Sequence, residues 1–151
     1  MTDQNTRTVD QALERFTLIA GSGSEATDEA CAMTLLSWVI GGPWTATVEC
    51  ANRLLNRWAI TANDGTSDVE KRIALVKAGE HGILDSWWVP DQVVVWLWSQ
   101  TDREAPYVDR VTATVTAVAE WKASAAKQRP NLTRPYQADA YLADANLARA
   151  N

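Results

Sequence analysis

The residues able to do chemistry are few. Cys31 and Cys50 are the only thiols and His81 the only imidazole in 151 residues. A thiol beside an imidazole could act as nucleophile and base. Both cysteines, however, fall in apolar, helix-spaced runs, and a buried thiol without a cationic neighbour is inert. The expectation is two free thiols, not a bridge. His81 and Asp85 would share a helix face and a metal only if the segment between them were helical, and Gly82 argues against that. Glu25, Asp28 and Glu29 cluster where a helix is expected to start, which suits the helix dipole. Asn63-Asp64-Gly65 with Asp68 and Glu70 has calcium-loop residue types, but the oxygen positions do not match the twelve-residue pattern. Gly21-Ser22-Gly23 lacks the preceding strand and the third glycine of a phosphate loop. No nucleophile elbow, Walker or zinc-protease motif is present. This reading gives no catalytic residue, no metal and no cofactor.

The aromatic residues carry more information. Eight tryptophans stand at positions 38, 44, 58, 87, 88, 96, 98 and 121. Tryptophan contributes large contact area and is enriched at interface hot spots. Trp87 and Trp88 are adjacent, and Trp96 and Trp98 lie two apart, so on any regular element each pair diverges. Either the element carrying Trp96 and Trp98 is buried all round, or one ring faces a partner. Trp44, Trp87, Trp88, Trp96 and Trp98 are therefore the candidate partner-binding residues. Alternatively, Trp87, Trp88, Trp96 and Trp98 line a small-molecule pocket with Asp85, Asp91 or His81 converging on it.

Composition narrows the class. With 46% hydrophobic and 22% charged residues, the chain suits a globular protein and can bury a core without staples. The net charge of −5 falls on the first hundred residues, and residues 101–151 are slightly basic. Lys122, Lys127, Arg129 and Arg134, with no acid from 121 to 134, form a thin nucleic-acid or phosphate candidate. That is less positive charge than such modules carry on one face, so nucleic acid is not the expected partner. The polar start Met1-Thr2-Asp3-Gln4-Asn5 lacks a signal-peptide core, and no apolar run approaches a membrane span. The expectation is a cytoplasmic protein without a membrane partner.

The elements that must position these residues read as helices. A polar tail over residues 1–7 leads into a single helical domain over 8–151. The spacing predicts a first helix from Thr8 to Ala20, with Val9, Leu13 and Phe16 inward, stopped by Gly21. A second runs from Thr27 or Asp28 to Val39 or Ile40 and ends at Gly41-Gly42-Pro43. A third, capped by Thr45 or Thr47, reaches Ala62. Ser67 with Glu70 makes a capping box for a fourth, which ends at Gly79. Residues 81–90 are irregular. Asp91–Gln100 favours a strand by its valines and a helix by Pro90 and its surroundings; helix is the reading taken. A sixth spans Val108–Lys127, and Pro135 opens an alanine-rich seventh to Ala150. The expected fold is an all-α bundle of about six or seven helices, with no confident strand.

One resemblance adds to this. Asp28-Glu29-Ala30-Cys31, Leu35, Gly41-Gly42, Thr45, Cys50, Asn63-Asp64, Arg72 and Leu75 form a pattern similar to that of small helical proteins of actinobacteria and their phages. Trp96-Leu97-Trp98, Ala105-Pro106-Tyr107 and the alanine-rich tail with Tyr141 resemble the same group's downstream pattern. Thr47-Val48-Glu49 stands where that group often has Asp-x-Pro. The resemblance implies a helical fold and a phage or actinobacterial origin, and it transfers no catalytic residue. Together these readings point to a protein that acts by binding another protein or a second copy of itself. For a phage protein the specific form is host takeover or anti-defence.

Overall fold

The computed structural model describes residues 7–125. The expected tail before Arg7, the seventh helix, and Lys127, Arg129 and Arg134 lie outside them. Helix α1 (Val9–Arg15) begins with a reciprocal cap. The Gln11 amide donates to Thr8 Oγ1 at 3.0 Å, and the Thr8 amide donates to Gln11 Oε1 at 2.9 Å. It stops at Arg15, five residues short of the expected end. Phe16 turns extended, and Thr17–Leu18 become strand β1. This strand pairs in parallel with β3 (Glu29–Ala30), which pairs antiparallel with β2 (Gly23–Ser24).

The fold is therefore mostly helical with a small three-stranded sheet, in the order β1-β3-β2, and the all-α expectation is corrected. Gly23 makes the tight return possible. It sits at φ +68°, and a Cβ there would lie 2.1 Å from the Glu29 carbonyl oxygen. A 3-10 turn (Glu25–Thr27) occupies the start assigned to the second helix, and Asp28 closes it in the left-handed region at φ 55°. Arg15 reaches this turn, with its Nε 3.2 Å from Asp28 Oδ1.

Helix α2 (Ala32–Val39) starts only after Cys31, whose Sγ accepts the Thr34 amide at 3.4 Å. Seven of its eight residues are buried, so it is a core helix, with its two polar members Thr34 and Ser37 hydrogen-bonded to Cys31 and to the Pro43 carbonyl. Gly41, at φ 74°, ends it.

Residues 44–52 are not the helical turns expected there. Asn56 holds them as a loop, accepting the Val48 amide at 3.0 Å and donating to the Ala46 carbonyl at 3.0 Å. Helix α3 (Arg53–Gly65) is capped instead by Asn52, whose Oδ1 accepts the Leu54 and Leu55 amides at 2.8 and 3.0 Å. The Asn52 Nδ2 donates to the Val89 carbonyl and to Asp91 Oδ1, both at 2.8 Å. One buried side chain thus fixes the start of α3 against the start of α5.

Asp68, one residue after the expected Ser67, caps α4 (Val69–Gly82). This helix runs past Gly79, packs most extensively against α6 (Tyr107–Ala125) and also touches α2. Asp91–Ser99 is helix α5, as its context suggested. The core is one cluster, with Leu35, Leu36, Leu55, Leu75, Val76, Ile83, Val111 and Val115 shielded from solvent. Such burial stabilises by about 1.5–3 kcal/mol per large side chain.

Candidate functional site

The chemistry-bearing residues do not assemble. Cys31 is a buried free thiol committed to the α2 cap. Cys50, free and half-buried, takes the Asp85 amide on its Sγ at 3.4 Å. His81 is exposed, with Nε2 3.8 Å from Glu80 Oε1. Asp85 is no helical partner for it: α4 ends at Gly82, Asp85 sits at φ 58°, and its Oδ1 accepts the Trp87 indole N–H at 3.1 Å. Asn63 and Asp64 serve structure. Asn63 binds the Ala32 amide and the Ile19 carbonyl, and Asp64 Oδ1 accepts the Gly21 amide at 2.8 Å. Arg72 donates to the Asn63 and Thr66 carbonyls, closing the turn between α3 and α4. Among the described residues no three His, Cys, Asp or Glu side chains come together as a metal set.

The tryptophans separate into three places. Trp38 and Trp44 flank Phe16, with ring centroids 5.2 and 5.4 Å away. The Arg7 guanidinium lies 4.1 Å over Trp38, and Arg15 lies 4.7 Å over Phe16. Trp88, only 3% exposed, packs in the core with its ring 5.6 Å from Trp121. Beside it Trp87 is half-buried, and Lys122 donates to the Leu84 carbonyl at 2.7 Å, sealing the end of α4 rather than presenting a free charge. The third place is α5. Trp98 lies 5.0 Å from Trp58 and 5.6 Å from Tyr107, under the Arg110 guanidinium at 3.8 Å.

Arg110 also holds the C-terminal end of α5 through Thr101 Oγ1 at 2.8 Å and the Trp98 carbonyl at 3.2 Å. The sequence reading named Tyr107 only within the resemblance and did not include Arg110, and it made neither a site residue. Their signal was the one-turn spacing at the start of the helix that follows α5 in the chain. Tyr107 is 40% exposed, and desolvation of its hydroxyl raises its pKa above the ordinary 10.0.

Helix α5 is the element that stands out. From Val93 to Trp98 it is entirely apolar, yet Val94 is its only fully buried residue. Val93, Leu97 and Trp98 are half-covered, and Trp96 is 59% exposed, the most exposed of the large hydrophobic side chains among the described residues. Its one charge, Asp91, sits at the N-terminal end and is engaged by Asn52. The four tryptophans proposed for a shared pocket thus do different things: Trp88 fills core, Trp87 binds Asp85, Trp98 anchors α5, and Trp96 faces outward. No protein-family model, curated protein or solved structure matches this chain.

Proposed function

We propose that the protein works as a protein-binding module, with the outer face of α5 around Trp96 as its contact surface. The observation that supports this is the exposed Trp96 on an apolar helix whose inner side is pinned by Val94 and Trp98. An exposed, rigidly mounted tryptophan is costly in water and is the residue type that dominates interface energetics. Arg110, Tyr107 and Trp58 hold α5 from beneath, so the face is preformed and little ordering is needed on binding. In a phage setting, to which the sequence resemblance points, the contact would occlude a host protein. The test is retention of partner, or self-association by light scattering, for the native chain and for Trp96→Ala. A loss of about 30-fold, as for a hot spot of about 2 kcal/mol, is expected. Unchanged binding in Trp96→Ala, with the fold intact, would refute the reading.

A further inference from the structure

We propose that the outer face of α5 docks on the same face of a second copy of this chain, antiparallel across a two-fold axis through Trp96. This rests on the reading of α5 as the contact surface and names its occupant. The first argument is the order of side chains along the face. Gln92, Ser99 and Gln100 each lie one helical turn from Trp96, so the four share one side of α5. Ser99 and Gln100 are exposed with Trp96, and Gln92 is half-buried. Gln92 and Gln100 stand at equal distances either side of Trp96, so the two-fold sets residue 92 of one copy against residue 100 of the other. It also lays the two Trp96 rings together, each 59% exposed in the single chain.

Hydrogen-bond chemistry is the second argument. A glutamine amide carries an acceptor oxygen and two donor hydrogens, so two amides pair reciprocally. The Gln92 Oε1 is shielded from solvent and accepts no hydrogen bond among the described residues, which is costly. Gln100 Nε2 gives one hydrogen to Ser99 Oγ at 3.1 Å and keeps the other. Turned outward, the Gln92 amide accepts that hydrogen from the second copy and donates to its Gln100 Oε1. Symmetry repeats the pair on the other side of the Trp96 contact, so the unmet acceptor of each chain is satisfied.

Charge is the third. At −5 per chain, two copies repel wherever like charges meet. No charged residue stands between Asp91 and Asp102. Charges flank this neutral stretch at both ends. Asn52 ties the start of α3 to Asp91, which places exposed Arg53 beside the start of α5, and exposed Asp102, Arg103 and Glu104 follow its end. The antiparallel order turns Arg103 toward the other copy's Asp91, and the two acids toward its Arg53. A parallel order would set these charges against their own kind. Helix α5 has nine residues, about 14 Å, so the contact belongs with the small interfaces, below about 1,200 Å² in total. The dimer is accordingly weak, half-assembled at about 10–100 µM.

The experiment uses the full chain. Sedimentation velocity from about 5 µM to about 1 mM should show a monomer passing to a closed dimer. Trp96→Ala should weaken it by at least about 30-fold. Gln92→Glu and Gln100→Lys, each alone, should weaken it by about tenfold; joined in one chain they should restore it, because the new charges face each other across the axis. Gln92→Cys and Gln100→Cys chains are then mixed, oxidised and mapped by mass so that Cys31 and Cys50 are read separately. The 92–100 bridge should form in preference to 92–92 or 100–100. A monomer at every concentration would overturn the proposal and leave the α5 face to a different polypeptide. A dimer unchanged by Trp96→Ala would overturn it by putting the contact elsewhere. Dominant like-with-like bridges, a double charge variant no tighter than the single ones, or species that grow past two copies would overturn it too.

Discussion

Replacing Gly82 by alanine puts a methyl group where the backbones of helices α4 and α6 approach most closely. A Cβ at residue 82 would lie 2.1 Å from the Val115 carbonyl oxygen, 2.6 Å from Val115 Cγ1 and 2.9 Å from its carbonyl carbon. The two carbonyl atoms are backbone of a buried helix and cannot swing away, so the helices must part by about 1 Å. A gap of that size forfeits a quarter to a half of each dispersion contact, roughly 0.05 kcal/mol per atom pair. Val111, Val115 and Val118 on α6, and Leu75, Val76 and Ile83 along and just past α4, all lie in the buried core. Some fifty or more pairs weakened in this way sum to about 3 kcal/mol, the upper end of ordinary overpacking. The gain in helix propensity, at most about 1 kcal/mol, offsets part of it.

A net loss of about 2–3 kcal/mol should lower the thermal midpoint by roughly 5–10 °C for a domain of this size. Urea melts followed by circular dichroism, with the slope fixed by the native protein, read the same quantity. Two controls bracket it. Gly79 meets side-chain atoms rather than backbone, with the ends Leu36 Cδ1 at 2.8 Å and Ile83 Cδ1 at 3.1 Å the nearest and Ile83 Cγ1 at an ordinary 3.6 Å. Gly79→Ala should therefore cost about 1 kcal/mol or less. Gly65 has open space around it among the described residues and an ordinary φ. Gly65→Ala should stabilise by about 0.4–1 kcal/mol. If Gly82→Ala melts at or above the native midpoint, the close α4–α6 approach is wrong.

Asn52→Ala removes a cap and orphans the Val89 carbonyl, so thermal melts should show a loss of about 2–4 kcal/mol. Asn52→Asp keeps the cap oxygen but faces the Val89 carbonyl and Asp91 with negative charge; it should recover none of that loss at neutral pH and part of it in acid. Tyr107 has its pKa raised in the folded chain, so the protonated form is favoured there. Stability should be unaffected below pH 10 and fall as pH climbs from about 10 through the folded pKa. Tyr107→Phe should flatten that limb, and absorbance at alkaline pH should lose one tyrosine step that lies above the ordinary range. Arg110→Met takes the cation from over Trp98 and frees the end of α5; faster amide hydrogen exchange over residues 91–101, with the α4–α6 core unchanged, is the expected result.

The helices were readable where a stripe and a cap agree. Thr8 with Gln11, the 3.6-residue repeat of α6 and Pro90 ahead of α5 each carry local signals that tertiary packing left in place. The sheet was not readable, because its strands are two residues long and their pairing depends on Gly23 meeting Glu29. Phe16 continued the helical stripe of α1 while the backbone had already turned extended. The third helix began late for a similar reason. Asn56 supplies side-chain partners to the loop at Ala46 and Val48, and no spacing rule exposes that use of an asparagine. At the candidate site the surplus of tryptophan was legible as a question of burial. Which ring faces out was not, since Trp96 and Trp98 differ only in what α3 and α6 bring to them. Trp58, Tyr107 and Arg110 arrive from those helices and cover Trp98 alone.

The most direct test of the central claim is a photo-activated benzophenone side chain at position 96, irradiated in the expressing cell. Its products are compared with those of the same group at exposed Ala74 on α4. The account predicts a discrete higher-mass adduct joining residue 96 to another polypeptide, with none at residue 74. The same adducts from both positions, or none from position 96 in a folded chain, would contradict it.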